Sequence, residues 1–268
     1  MSSLIKARYY SRYEIEEHQM EQMFALFQEY YDNASYSTFI NDLNKKSGAF
    51  ILMQRNNDKI VGFTTVLKMN MKLDNQKIVG IFSGDTIVSQ NYWGNTANLQ
   101  FSLFVYFLKQ KLIHPFRPVY WLLISKGYKT YLLLANNFVN YHPCYYKQNQ
   151  KLARITRTYA HKLFPENFDP ELGILVFDKE SQRLKQNVAE ITEEMCRKEP
   201  KIKFFSEKNP KWMEGTELCC IGAFDLPTFL SYPFKYLKKI FNNNFIKDSI
   251  QNHAFVLHTK SANNKRDI

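Results

Sequence analysis

The sequence predicts an α/β (α+β) fold, a mixed central sheet with flanking helices and a C-terminal extension. Three observations point there. Apolar residues change their spacing along the first half of the chain, from helical steps to runs of β-formers and back. A strand, helix, strand, helix unit then occupies residues 77–140, and such a crossover makes its two strands parallel and the connection right-handed. The 268 residues hold 22 Phe, 17 Tyr and 3 Trp against nine Gly and nine Pro. That supplies a sizeable core and argues against a disordered or fibrous chain.

From His18 to Tyr31, the residues Met20, Met23, Phe24, Phe27, Tyr30 and Tyr31 recur at helical steps and mark one face of a helix. A short helix over 38–44 follows. Residues 49–53 and 60–67 are β-rich runs around the turn residues Asn56, Asn57 and Asp58, which reads as a β-hairpin. A third strand over 77–88 carries Ser83, Gly84 and Asp85 in its middle. A glycine there marks a bulge or the close approach of another backbone. After a loop over 89–95, residues 96–113 form a helix capped by Asn95 or Thr96, apolar on most of its surface and therefore buried.

Tyr120, Trp121, Leu122, Leu123 and Ile124 form an unbroken apolar run, which suits a central strand over 118–124 covered on both faces. It ends at Ser125, Lys126 and Gly127. A helix over 130–140 stops near Pro143. Beyond Tyr145 the pattern gives a basic helix over 150–163, a strand over 173–177, a charged helix over 187–198 and a last strand over 217–224. Residues 1–165 are thus expected to form the core. Residues 166–225 add the late strands around a helical insertion, and 226–268 make a basic amphipathic extension with a frayed tail.

Met1 to Tyr10 lacks the apolar core of a signal peptide, and the stretch from Leu99 to Leu108 falls short of a membrane span. The expected setting is cytoplasmic, with peripheral membrane contact as a further option. Cys144, Cys196, Cys219 and Cys220 form no C-x-x-C pair and are too few for a disulfide framework, and the scattered histidines give no metal-ligand spacing. No metal is expected. Cys219 and Cys220, adjacent in an apolar strand, read as packing residues facing opposite sides of a sheet.

The order of elements, together with Asp85, Thr86, Ile87 and Val88 leading through Tyr92, Trp93 and Gly94 to a helix opening at Thr96, resembles the GNAT acyltransferase superfamily over roughly residues 14–146. Within it, the chain is similar to a little-characterised bacterial branch sharing stretches such as Phe82 to Val88, Tyr92-Trp93-Gly94 and Trp121 to Gly127. The long-chain N-acyl amino acid synthases are the nearest functional model. The resemblance implies a phosphate-binding loop of pattern Q/R-x-x-G-x-G/A after the strand ending in Val88, with Trp93, Gly94, Asn95 and Thr96 in it. Backbone amides at a helix N-terminus suit an anion there. This chain places Trp93 where Gln or Arg stands in the family, and Thr96 and Asn98 at the two small positions. It also implies an acyl donor, either acyl-CoA or the thioester of an acyl carrier protein, no tightly bound cofactor, and an amine acceptor.

Such a reaction needs a base for the amine and an acid for the departing thiolate. Asp85 is the candidate base, because it sits beside Gly84 where the strand should part from its parallel neighbour; a carboxylate that merely ties down the next loop is the plainer alternative. Tyr141 is the candidate acid by resemblance, in competition with Tyr131, His142 and Tyr145. Ser125 and Lys126 lie at the carboxyl end of a parallel strand, where α/β sheets tend to bind ligands, and Lys126 suits a phosphate or a substrate carboxylate.

The 36 Lys and Arg exceed the 25 Asp and Glu, for a net charge of +11. An acidic carrier protein is the leading partner, ahead of an anionic membrane met through residues 234–247, where Phe234, Leu237, Ile240, Phe241 and Phe245 share a helical stripe beside lysines. No nucleic-acid-binding motif is present. Two function classes follow: an N-acyltransferase, or a non-catalytic module of the same fold that binds a lipid, membrane or protein partner.

Overall fold

The computed structural model describes residues 5–73, 75–93, 97–177, 183–185 and 190–237. An edge strand, β1 (Ile5–Ser11), precedes helix α1 (Glu17–Tyr30), the short strand β2 (Tyr31–Asp32) and helix α2 (Tyr36–Asn44). Three long strands follow: β3 (Gly48–Gln54), β4 (Ile60–Leu73) and β5 (Gln76–Val88). Helix α3 (Ala97–Ile113) crosses to β6 (Val119–Ser125), which leads into α4 (Tyr128–Asn137) and the two-residue β7 (Tyr141–His142). Then come α5 (Gln150–Leu163), the short strands β8 (Phe168–Asp169), β9 (Ile174–Leu175) and β10 (Arg183–Leu184), helices α6 (Glu193–Lys198) and α7 (Pro200–Lys208), and β11 (Glu217–Ala223). A last helix, α8, covers residues 226–237.

The main sheet is ordered β1-β3-β4-β5-β6-β11-β9-β8, with β7 also on β11, and β10 pairs with β2 apart from it. All pairs of the main sheet are antiparallel except β5 with β6, the parallel pair that the crossover through α3 requires. This is the mixed sheet with flanking helices that the sequence pattern predicts.

Local chemistry explains the elements. Helix α2 starts where the Ser35 hydroxyl accepts from the Thr38 amide, and α5 where the Asn149 side chain accepts from Leu152. On one face of the sheet, α3, α4 and α7 bury Leu99, Phe107, Tyr131, Leu134 and Phe205 against Val79, Ile81, Trp121 and Leu123. The other face is divided. Helices α1 and α2 cover β3 and β4 with Phe27, Phe39 and Leu43, while α5 covers β6 and β11 with Leu152, Ile155 and Tyr159. Cys219 belongs to the α5 side and Cys220 to the α3 side, as alternation along a strand dictates.

Several elements depart from the sequence expectations. Strand β1 and helix α7 are additional. The helix expected over 130–140 is α4, Tyr128–Asn137; it ends because Phe138 turns extended and its ring packs against Gly222 and Trp121, after which the chain forms β7 along β11. Tyr141 therefore lies on a strand. Of the helix expected over 187–198, Glu193–Lys198 is helical, while 186–189 fall outside the described residues.

Candidate active site

The β5–β6 ladder runs from the pair Val79–Val119 to the pair Ser83–Leu123 and stops there, although β5 continues to Val88 against β4 and β6 to Ser125 against β11. The cause is a bulge. Thr64 pairs with Thr86 and Val66 with Ser83, so two steps on β4 span three on β5, and Gly84 and Asp85 pair with no residue of either neighbour. The extra residue inverts the alternation: Val79 and Ile81 face α3, whereas Ile87 faces α1 and α2. Asp85, two residues before Ile87, is thereby turned to the divided face. A Cβ on Gly84 would stand 2.6 Å from the Thr65 hydroxyl and 3.2 Å from Lys46 Cε, so glycine is what the bulge accommodates.

A charged cluster fills the space between the two apolar groups on that face. Lys126, one residue beyond β6, places its ammonium 3.3 Å from Glu217 Oε1 and 4.9 Å from the centre of the Tyr31 ring. Glu217, the first residue of β11, has a side chain only 4% exposed. Lys46 pairs with Asp42 at 2.7 Å and lies 5.7 Å above the Phe82 ring. Asp85 is partly accessible among these groups. Burial pushes its carboxyl above the usual carboxylate range, Asp42 adds to the rise, and the Lys126 and Lys46 ammoniums oppose it. Burial raises Glu217 likewise, with Lys126 opposing and Asp85 adding. Burial favours loss of the Lys126 proton, but Glu217, Tyr31 and Asp85 together outweigh it and hold the ammonium charged.

Neighbouring side chains fix the opening. Trp121 Nε1 donates to Ser83 Oγ at 2.8 Å, tying the last joined rung of β5 and β6. At the level of Leu123 the other flank of β6 is also altered: the Tyr159 hydroxyl enters the Leu123–Cys220 rung, accepting from the Cys220 amide at 2.9 Å and donating to the Leu123 carbonyl at 2.7 Å. The Ser125 hydroxyl is fully buried and donates to the Gly127 carbonyl at 2.8 Å, so it caps its own turn.

The loop after β5 is held tightly. The Val88 carbonyl accepts from Trp93 Nε1 at 2.7 Å, and Lys129, on α4 across the opening, sits 3.5 Å above the Trp93 ring. The amides of Ser89, Gln90, Tyr92 and Trp93 go to Val61 O, the Tyr30 hydroxyl, Ser89 O and Gln90 O. Gly94, Asn95 and Thr96, the other expected loop positions, lie outside the described residues.

The structure thus gathers Asp85, Lys126, Val88 and Trp93 around the parting strands and keeps Tyr141 away. Tyr141 pairs with Gly222, five residues along β11 from Glu217, about 17 Å at the rise of a strand. Its hydroxyl is buried beside the rings of Tyr131 and Tyr146. Glu217, Tyr31, Lys46 and Tyr159 are not among the site residues expected from the sequence; a glutamate opening an otherwise apolar strand is the one local signal. Among the described residues no group of three His, Cys, Asp or Glu side chains is arranged to hold a metal, and no helix is long and apolar enough to cross a membrane.

Neither a family model nor a curated protein matches the chain. Solved structures give distant likenesses. A conserved protein of unknown function from Enterococcus faecalis V583 is 12% identical over 51% of this chain and 33% of its own, with a TM-score of 0.38. Saccharomyces cerevisiae N-myristoyltransferase with bound myristoyl-CoA is 10% identical over 47% and 30%, at 0.36. The Escherichia coli GNAT family N-acetyltransferase YhbS in complex with CoA is 9% identical over 47% and 65%, at 0.33. The aligned part spans about a third of the first two chains and under two thirds of the other. Likenesses this distant carry no argument, and the reading below rests on this chain's own strands and side chains.

Proposed function

We propose that the protein is an N-acyltransferase of GNAT type that moves an acyl group from a thioester to an amine in the opening between β5 and β6. The observation that carries this reading is the parting, at Ser83 and Leu123, of the one parallel pair among the described strands, with a partly accessible carboxylate, Asp85, at the fork. A pantetheine arm is a narrow chain of amides that can enter such an opening and bond to strand backbone left without a partner.

In the reaction the amine nitrogen attacks the thioester carbonyl carbon. The C–N bond forms, and Asp85 takes the proton that the nitrogen loses. The tetrahedral centre collapses with cleavage of the C–S bond, and the proton held by Asp85 passes to the departing thiolate, so that one carboxyl serves both steps. A raised carboxyl is suited to that double duty, being closer to the working pH than a solvated aspartate. The donor is either acyl-CoA or an acyl carrier protein. The net charge of +11 favours the acidic carrier, and the amides of residues 89, 90, 92 and 93, already bonded within the protein, leave a CoA pyrophosphate those farther along the loop. The same occupied amides are what a non-catalytic module would show.

Thiol release from acyl-CoA and from acyl carrier protein thioesters, with a panel of amines, tests the proposal. Amine-dependent release is expected, and Asp85→Asn should lower it by about a hundredfold or more with unchanged circular dichroism. Failure to consume either donor would leave the binding module standing.

A further inference from the structure

Helices α3 and α8 present a face that the core does not use. Along α3 and its following turn the outward row is Phe101, Val105, Leu112 and Phe116, with Lys109 between them; Phe116 is 95% exposed. Along α8 the outward row is Leu226, Leu230, Phe234 and Leu237, and Phe234 is 76% exposed. The rows adjoin, because Phe104 stacks on Tyr232 at 4.0 Å and the Phe101 ring lies 5.3 Å from that of Tyr236. Single exposed apolar side chains are ordinary on a protein surface, but two contiguous rows are not.

The charge on this face has one sign. Neither α3 nor α8 contains an aspartate or glutamate; Lys109 stands exposed in the outward row, while Lys111 donates to the Pro115 and Arg117 carbonyls and Lys235 to the Asn137 carbonyl. Asp225, which precedes α8, is engaged by the Asn140 side chain and the Thr228 amide. Beneath the helices lies an apolar cavity of about 40 Å³ bordered by Phe104, Trp121 and Tyr232, too small to admit a partner's side chain of any length. Phe116 and Phe234 stand out from the surface.

We propose that the α3–α8 face lies on an anionic lipid surface, with the aromatic and aliphatic rows in the acyl boundary and Lys109 among the headgroups. Protruding side chains suit a fluid layer, which needs no matching cavity. A second copy of the chain would set like charges face to face on a molecule already at +11. The face begins one turn into the helix that follows β5, next to the loop bounding the strand opening, but the inference does not depend on acyl transfer.

Co-sedimentation of the full chain with vesicles of phosphatidylcholine, with and without phosphatidylglycerol, tests it. Binding to the mixed vesicles alone is expected, weakening as salt screens the headgroups. The double variant Val105→Ser, Phe116→Ser alters only exposed positions of α3 and its following turn and should weaken that binding by about tenfold or more, with the thermal melt unchanged. Absence of binding to the anionic vesicles, equal binding by the double variant, or a self-association abolished by the same substitutions would each overturn the assignment. None of these readouts uses a thioester, so they stand apart from the fate of the acyltransferase proposal.

Discussion

Residues Val79 to Ser83 of β5 are paired with β4 on one side and β6 on the other, whereas Thr86 to Val88 keep β4 alone. The first half is built of side chains that need only burial, and Val79, Ile81 and Phe82 are all nearly inaccessible. The second half has lost a row of backbone partners and meets its polar needs by other means. The Thr86 hydroxyl bonds that of Thr64 at 2.7 Å, and Asp85 lies among the ammoniums of Lys126 and Lys46. One cost is visible at the junction, where the buried Thr65 hydroxyl beside Gly84 has no hydrogen-bond partner, a defect of about 1–3 kcal/mol. One bulged residue has divided a strand into a structural half and a chemical half.

Three substitutions probe that division. Lys126→Met removes the ammonium that the buried Glu217 shares with the partly accessible Asp85, and loss of one partner of a buried pair costs about 3–5 kcal/mol. Because burial already raises the folded-state carboxyl of Glu217 and the substitution raises it further, the deficit should be full at neutral pH and shrink as pH falls through that raised value. Urea melts at several pH values read this directly, and a pH-independent loss would mean that Lys126 matters for packing alone. Gly84→Ala forces a Cβ into the Thr65 hydroxyl and the Lys46 stem, an overpacking worth about 1–3 kcal/mol. A neutral result in a thermal melt would show that the bulge is loose. The smallest effect belongs to Glu217→Gln, which frees the Lys126 ammonium to act wholly on Asp85 and should move the Asp85 carboxyl downward in a carbon-13 titration. An unmoved or raised value would break the link between the two carboxylates.

Much of the scaffold was legible because its signals are local. The helical stripe of Met23 and Phe27 and the apolar run from Tyr120 to Ile124 are each written within a single element, and the crossover through α3 follows from the order of its neighbours. The glycine within β5 marked the bulge, and Asp85 beside it was singled out for that reason. What escaped is what tertiary structure assembles. Glu217 reaches Lys126 only because β11 returns antiparallel to β6, and Lys46 reaches Gly84 only because α2 ends above β4. Strand β1 was missed because Ile5, Ala7 and Tyr9 alternate with Lys6 and Arg8 in a stretch without flanking turn residues, and its pairing is set by β3. The helix expected over 130–140 ends at Asn137 because packing of Phe138 stops it, which no local signal marks, and Tyr141 then falls on β7.

The tyrosine hydroxyl lodged in the Leu123–Cys220 rung has a mechanical consequence. It makes the tip of β6 a cantilever borne by α5 as much as by its neighbours in the sheet. A slide of α5 along its own axis would be transmitted through Tyr159 to the backbone three residues before Lys126, retuning the charge balance at the fork without touching any group that lines it. In the proposed transfer, a change of acceptor would then be met by repacking a distant helix, with Asp85 left in place.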